Sequence, residues 1–292
     1  MARRDRLIDR SFRPRKRRRF PRAIPMLFML GGLAGIVILW VWVFAPIFVE
    51  PREWHARQLR FDRAISAVIN NRTAVGGEDV PNLPPWPPPL NDDQTALVAC
   101  AERQVARGVR FSGGYHALKY PNGDLAAHLG TSPDIVIRCL RDAGLDLQQL
   151  IHVDRKNTPG RYPTHLWSSR RADPSIDHRR LPNLYRFAKW FFDAQPLEAD
   201  TPETAVTYLP GDIVFWKDGG YRGFPGLVGI VTDRRGADGV PRVVTLLREE
   251  KRATLHHPVT GWTIAGHFRI RSDHIRERFL ETHPGTTLVP AP

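Results

Sequence analysis

The chain has 292 residues, 42% of them apolar, and a formal net charge of +13. That length holds one sizeable domain with appendages, or two small ones. The charge sits in one place: residues 2–22 carry eleven Arg or Lys against Asp5 and Asp9, which leaves +4 for the rest. A basic run that abuts an apolar stretch reads as a membrane flank, and it argues against a nucleic-acid partner.

Residues 23–49 contain no charged side chain. A bilayer span needs ~20 apolar residues, so this run is long enough, and it exceeds the ~7–15 of a cleaved signal peptide. The cations before it predict residues 1–22 as a cytoplasmic tail and everything after the span as extracytoplasmic. The expectation is a single-pass protein of the cell inner membrane.

Residues 50–72 read as a juxtamembrane helix, with Trp54, Phe61, Ile65 and Val68 on one side. Residues 73–90 include six prolines between Pro81 and Pro89 and predict a stiff linker free of tertiary contacts. A folded domain is expected over 91–272, and 273–292 reads as a C-terminal tail, disordered from Thr282.

Within the domain, Asp92 or Asp93 caps a helix that runs to Ala106. Ser132, Pro133 and Asp134 are a helix start, with Ser132 as N-cap, and Gly144 is the stop. Leu145 to Ile151 is a short apolar segment, 155–182 is polar and irregular, and Leu184 to Phe192 is helix-like. Strands are predicted at 213–216, 227–232, 243–247 and 264–270. Helices first and strands second is an α+β order. Cys100 and Cys139 are the only cysteines, and a disulfide and two buried thiols are both open readings. No spacing of Cys or His suits a metal, His256 and His257 included, and no cofactor motif is present.

Seven phrases stand in order along the domain. They are Tyr120-Pro-Asn-Gly-Asp124, Asp134-Ile-Val-Ile-Arg138, Leu145-Asp-Leu-Gln-Gln-Leu-Ile-His152, Ile176-Asp-His-Arg-Arg-Leu-Pro-Asn-Leu184, Leu209-Pro-Gly-Asp-Ile-Val214, Gly229-Ile-Val-Thr-Asp233 and Gly266-His-Phe-Arg269. Together they resemble the bacterial family called domain of unknown function 1287. That family resembles a branch of the NlpC-type, papain-like cell-wall cysteine hydrolases. The resemblance implies a papain-like α+β domain, a helix carrying the nucleophile packed on an antiparallel sheet carrying the base.

The departures fall at the chemistry. The family's Cys-Thr-Asp is here Ser132-Pro133-Asp134, its His-Ile-Gly-Ile-Val is Leu227-Val-Gly-Ile-Val231, and its His-Asn pair is Thr245-Leu246. Nucleophile, base and orienting positions thus fall at Ser132, Leu227 and Thr245. A helix start and a paired histidine acidify a thiol, whereas a serine needs a base within hydrogen-bond reach. Leucine takes no proton. Ser132 is therefore expected to cap its helix, with Leu227 facing the helix start from the adjacent strand. The candidate groove residues are Tyr120, Asp134, Arg138, Asp177, His178, Arg179, Arg180, Trp216, His267 and Arg269.

The expectation is a membrane-anchored pseudoenzyme that binds peptidoglycan peptide or an envelope protein without hydrolysing it. The alternatives are a hydrolase that uses Ser132 with a recruited histidine, and a structural envelope subunit. A filled apolar pocket at Leu227 would favour the last.

Overall fold

A computed structural model describes residues 85–291, apart from 169, 200, 201, 221, 222, 237 and 238. The basic tail, the apolar stretch 23–49, the juxtamembrane segment and most of the proline-rich linker lie outside the described residues. No helix among the described residues is long and apolar enough to cross a membrane.

Helix α1 (Asp92–Ala106) starts one residue earlier than its acidic pair suggests. Asn91 is the N-cap: its side chain accepts the Gln94 N–H at 2.9 Å, and the Gln94 side chain accepts the Asn91 N–H at 3.1 Å. This reciprocal box leaves Asp92 and Asp93 in the first turn, where the helix dipole favours them. A short parallel pair, β1 (Arg110–Phe111) with β2 (Leu129–Gly130), leads into α2 (Ser132–Asp142). Next comes α3 (Leu147–Asn157), longer than the apolar segment predicted there, because polar residues continue it beyond Ile151. Asp146 caps it by accepting the Gln148 N–H. Cys100 and Cys139 form a disulfide that ties α1 to α2, both buried.

Helix α4 (Leu181–Phe191), strand β3 (Asp193–Ala194) and the one-turn α5 (Pro202–Ala205) precede the main sheet strands. These are β4 (Ile213–Trp216), β5 (Leu227–Arg235), β6 (Pro241–Leu246), β7 (Ala253–Pro258) and β8 (Ile264–Arg269), and helix α6 (Ser272–Thr282) follows them. The six-stranded sheet is antiparallel throughout, in the order β3-β8-β4-β5-β6-β7.

Strands β4 and β6 are apolar on both faces because both faces are covered. Side chains alternate across a strand. Ile213, Phe215, Val228, Ile230, Val244, Leu246 and Phe268 meet the helices in the main core, with Leu97, Ile135 and Leu140. Val214, Trp216, Leu227, Val231 and Val243 enter a second core with Ala205, Tyr208, Val259 and Trp262. That second core, covered by Ala199, Ala205, Tyr208, Val259 and Trp262, explains why these strands read as continuous apolar runs.

Two expectations about the ends are corrected. The segment after residue 272 is part of the domain: α6 buries Ile275 and Phe279 in the main core, and residues 286–291 lie against α3. Thr282 to Ala291 lacks hydrophobic periodicity, so nothing local announces this packing. The described end of the proline-rich linker also has a contact, since the Arg235 guanidinium stacks 4.0 Å from the Trp86 ring centroid.

Candidate functional site

The start of α2 is built by Thr131, not Ser132. Thr131 has the extended backbone of an N-cap (φ −128°, ψ 177°), and Ser132 is the first helical residue. The Thr131 N–H donates to Asp134 Oδ2 at 2.7 Å, and Thr131 Oγ1 donates to the same oxygen at 2.6 Å. Thr-x-x-Asp has the three-residue spacing that a capping box needs, so the box closes on Thr131 and leaves Pro133 at the second helical position. The Asp134 carboxylate is completed from outside the helix. Arg179 Nε donates to Oδ1 at 2.6 Å and Arg179 Nη2 to Oδ2 at 3.1 Å. Arg179 Nη1 also donates to the Gly114 carbonyl at 3.1 Å. Asp134 and Arg179 are 3% and 7% exposed. Their mutual bonds hold the turn at 177–179 to the start of α2. Ser132 is buried, and among the described residues no histidine hydrogen-bonds to its Oγ.

Leu227 does not face this helix start. Strand β5 packs against α2, but through Val228 and Ile230. Leu227 points into the second core on the opposite face, and a side chain at Gly229 would meet Trp216 and Thr245 there. Thr245 is on that face too, with Oγ1 donating to the Val228 carbonyl at 2.7 Å. The sheet therefore separates Ser132 from positions 227 and 245. The expected facing was inverted because an apolar run gives strand alternation but not which parity meets the helix. On the helix side β4, β5 and β6 offer Ile213, Phe215, Val228, Ile230, Val244 and Leu246. None of these can accept a proton.

The irregular segment 155–182 carries much of the remaining polar chemistry, on the 3-10 turn Asp177–Arg179. Asp177 pairs with Arg155, with Arg180 at 3.0 Å, and accepts the Asp173 N–H at 2.6 Å. Arg180 also lies 4.2 Å over the Trp167 ring. Arg138 grips Asp124 through Nε at 2.7 Å and Nη2 at 2.9 Å, and donates to the Leu129 carbonyl at 2.8 Å. Tyr120 is exposed, with its ring edge-on to His152 at 5.0 Å. Burial raises its hydroxyl pKa, helped by the Asp146 charge. His152 was not singled out from the sequence. Its Nδ1 is buried without a partner, and its pKa is lowered by burial, then by Lys156.

His178 is 2% exposed, and its Nδ1 also lacks a partner. Burial drives its pKa from 6.5 to about 3, against the pull of Asp134 and with help from Arg179, Arg141 and His152. The folded value is the lower one, so the unfolded chain takes up the proton first. The stabilisation is complete above about pH 6.5 and is lost as pH falls toward about 3, at up to ~1.4 kcal/mol per pH unit. Urea unfolding at pH 7.5 and pH 5 should show this loss, and His178→Gln should flatten it. Equal pH slopes for the two proteins would show that His178 is not the group responsible.

The other groove candidates lie across the sheet. His267 Nδ1 donates to the Pro196 carbonyl at 2.7 Å, its Nε2 is 2.7 Å from Asp212 Oδ2, and its ring stacks on Tyr208 at 3.8 Å. Arg269 completes Asp212 with bonds of 2.9 and 2.8 Å. Trp216 is core, its Nε1 donating to the Val259 carbonyl at 2.9 Å. The candidates are thus dispersed: Asp134 binds Arg179, Asp177 binds Arg180, Arg138 binds Asp124, His267 and Arg269 share Asp212, Trp216 is core and Tyr120 is exposed. His257 is half-buried and pairs with Glu250 at 2.9 Å. Among the described residues no group of three or more His, Cys, Asp or Glu side chains is placed to hold a metal ion.

Residues 98–270 match the family model described as Domain of unknown function (DUF1287). The chain belongs to the DUF1287 family. The matched span runs from α1 to the residue after β8, and so contains the Asp134–Arg179 pair, the Asp212–His267–Arg269 cluster and the whole six-stranded sheet. A curated relative, "Uncharacterized protein YijF" of Escherichia coli (strain K12), is 31% identical over 211 residues, which cover 71% of this chain and 98% of YijF. No solved structure matches.

Proposed function

We propose that this DUF1287 member is a non-hydrolytic domain of the bacterial cell envelope, related to the papain-like, NlpC-type fold. It is anchored in the inner membrane by residues 23–49, with residues 91–292 on the periplasmic side. It holds a peptide, either the stem peptide of peptidoglycan or a segment of an envelope protein, without cleaving it. The observation that carries the non-hydrolytic part is the helix-facing side of the sheet. There Val228, Ile230, Val244 and Leu246 join the core with α2, and among the described residues Ser132 has no imidazole bonded to it. A serine hydroxyl without a base has no appreciable anionic population at neutral pH. The buried Cys100–Cys139 disulfide supports an oxidising compartment, and the uncharged run behind eleven cations supports the anchor.

One observation favours a second reading. Leu227 sits in a filled apolar cluster with Trp216, Trp262 and Val259 nearby, as expected of a structural envelope subunit with no open cleft. Co-sedimentation with purified peptidoglycan sacculi separates the two. The binding reading predicts that the full chain pellets with sacculi and is released by soluble stem peptide. Protein left wholly in the supernatant, together with a stable envelope complex recovered by cross-linking, would establish the structural reading.

A further inference from the structure

One corner of the domain gathers cations that its own carboxylates leave unpaired. Immediately before β7, Arg252 bridges Arg110 of β1 in antiparallel register. The Phe111 N–H donates to the Lys251 carbonyl at 2.9 Å, and the Ala253 N–H to the Val109 carbonyl at 2.8 Å. These bonds flank the two arginines and do not join them directly. Theirs is therefore the closer kind of antiparallel pair, with Cα atoms about 4.5 Å apart and both side chains on one face. Like charges placed directly opposite repel. Both arginines are exposed, as are Arg248 and Lys251, and the Arg248 guanidinium lies 5.5 Å from the Phe111 ring centroid.

Elsewhere on the surface exposed arginines find carboxylates: Arg103 has Asp142, Arg234 has Glu102 and Arg271 has Asp193. At this corner none of Arg110, Arg248, Lys251 and Arg252 pairs with a carboxylate among the described residues. Glu250, two residues before Arg252, turns instead to Thr254 at 2.8 Å and His257 at 2.9 Å. Lys251 has φ +62°, a conformation that glycine takes at less cost, and its N–H closes the turn on the Leu247 carbonyl at 3.1 Å. A lysine is held there in spite of the strain. The exposed apolar side chains Trp190, Leu197, Leu280 and Val289 belong to other segments, so the corner lacks the apolar anchor of a lipid-binding surface.

We infer that this corner docks an acidic segment of a partner protein, with Asp or Glu carboxylates placed between Arg110 and Arg252 and beside Arg248 and Lys251. A guanidinium is a planar fork of donors that matches a carboxylate, and arginine clusters are a recurring means of reading acidic motifs. A carboxylate between the two arginines also removes their repulsion, so the ligand relieves a cost that the fold carries alone. The inference deepens the reading that the domain holds a peptide without cleaving it, and rests on that reading.

The probe is fluorescein-labelled hexaglutamate, titrated by anisotropy into the full chain in detergent. In about 0.15 M salt, charges more than about 8 Å apart are largely screened. The basic run 2–22 is the same in every variant, so differences between variants read the corner. Arg252→Glu should weaken binding about tenfold and Arg252→Gln about threefold. Arg278→Glu, the same charge change at an exposed site on α6, should leave it within about twofold. Arg252→Glu sets opposite charges across the bridge, so its urea midpoint should be no lower than that of wild type, and lost binding is then not lost fold. Equal binding by wild type and both Arg252 variants would overturn the inference, as would an equal loss in Arg278→Glu. Soluble stem peptide separates this failure from that of the reading beneath it. Stem peptide bound alike by wild type and Arg252→Glu, with no Arg252-dependent binding of hexaglutamate, keeps the peptide-holding reading and overturns the docking corner. Stem peptide bound only with Arg252 intact, and hexaglutamate not bound, would overturn the protein partner in favour of peptidoglycan. Binding of neither peptide would overturn both.

Discussion

Arg179→Ala is expected to destabilise the domain by about 3–5 kcal/mol, the cost of leaving a buried charge without its partner. Asp134 is nearly sealed from water, and Arg179 supplies two of its bonds. The remaining donors come from Thr131, which can neutralise neither the charge nor its desolvation. The loss also loosens the turn Asp177–Arg179 from Gly114 and from α2. Exposure decides the size of the effect. Arg103 and Asp142 also pair, but both are solvent-exposed, so Arg103→Ala should cost under about 1 kcal/mol. Urea midpoints of the two variants measure the contrast. Similar small losses for both would mean that Arg179 is not the clamp at the start of α2.

Removing the disulfide is expected to cost about 4 kcal/mol, from the loop-closure entropy that a separation of 39 residues withholds from the unfolded chain. The Cys100→Ala/Cys139→Ala variant tests this without leaving thiols in the core. Both sulfurs are buried, so a mild reductant should reach them only through unfolding, and the native domain should stay oxidised for as long as it stays folded. Loss of ~4 kcal/mol is a large share of a typical domain stability of about 5–15 kcal/mol. The double variant should therefore unfold at a clearly lower urea concentration, and wild type unfolded in reductant should match it. Coincident unfolding curves for oxidised wild type and the double variant would contradict the entropy argument.

The helices and most strands were legible because their signals are local. A helix capped by Asp92 or Asp93 and running to Ala106 reads from the sequence, and 213–216, 227–232 and 264–270 read as apolar strands, close to where α1, β4, β5 and β8 lie. What was not legible depends on distance. Asp134 and Arg179 are 45 residues apart, and nothing near either announces the other. Leu227 to Val231 is apolar at four of five positions, so its pattern fits a strand with either face toward the helices. Gln149 carries no charge and sits in a helix, where an amide reads as ordinary surface until the segment it binds is seen. The capping box was visible as Thr131-Ser-Pro-Asp134, but Ser132 before a proline gave the more familiar start.

Non-hydrolysis is tested most directly by mass spectrometry of soluble peptidoglycan peptides incubated with the purified full chain and with Ser132→Ala. The geometry predicts that substrate masses persist unchanged with both proteins. It also predicts that Ser132→Cys adds nothing, since Val228, Ile230, Val244 and Leu246, which pack in the core with α2, cannot take a proton. New product masses with wild type that vanish with Ser132→Ala would contradict it and establish a serine enzyme with a base recruited on substrate binding.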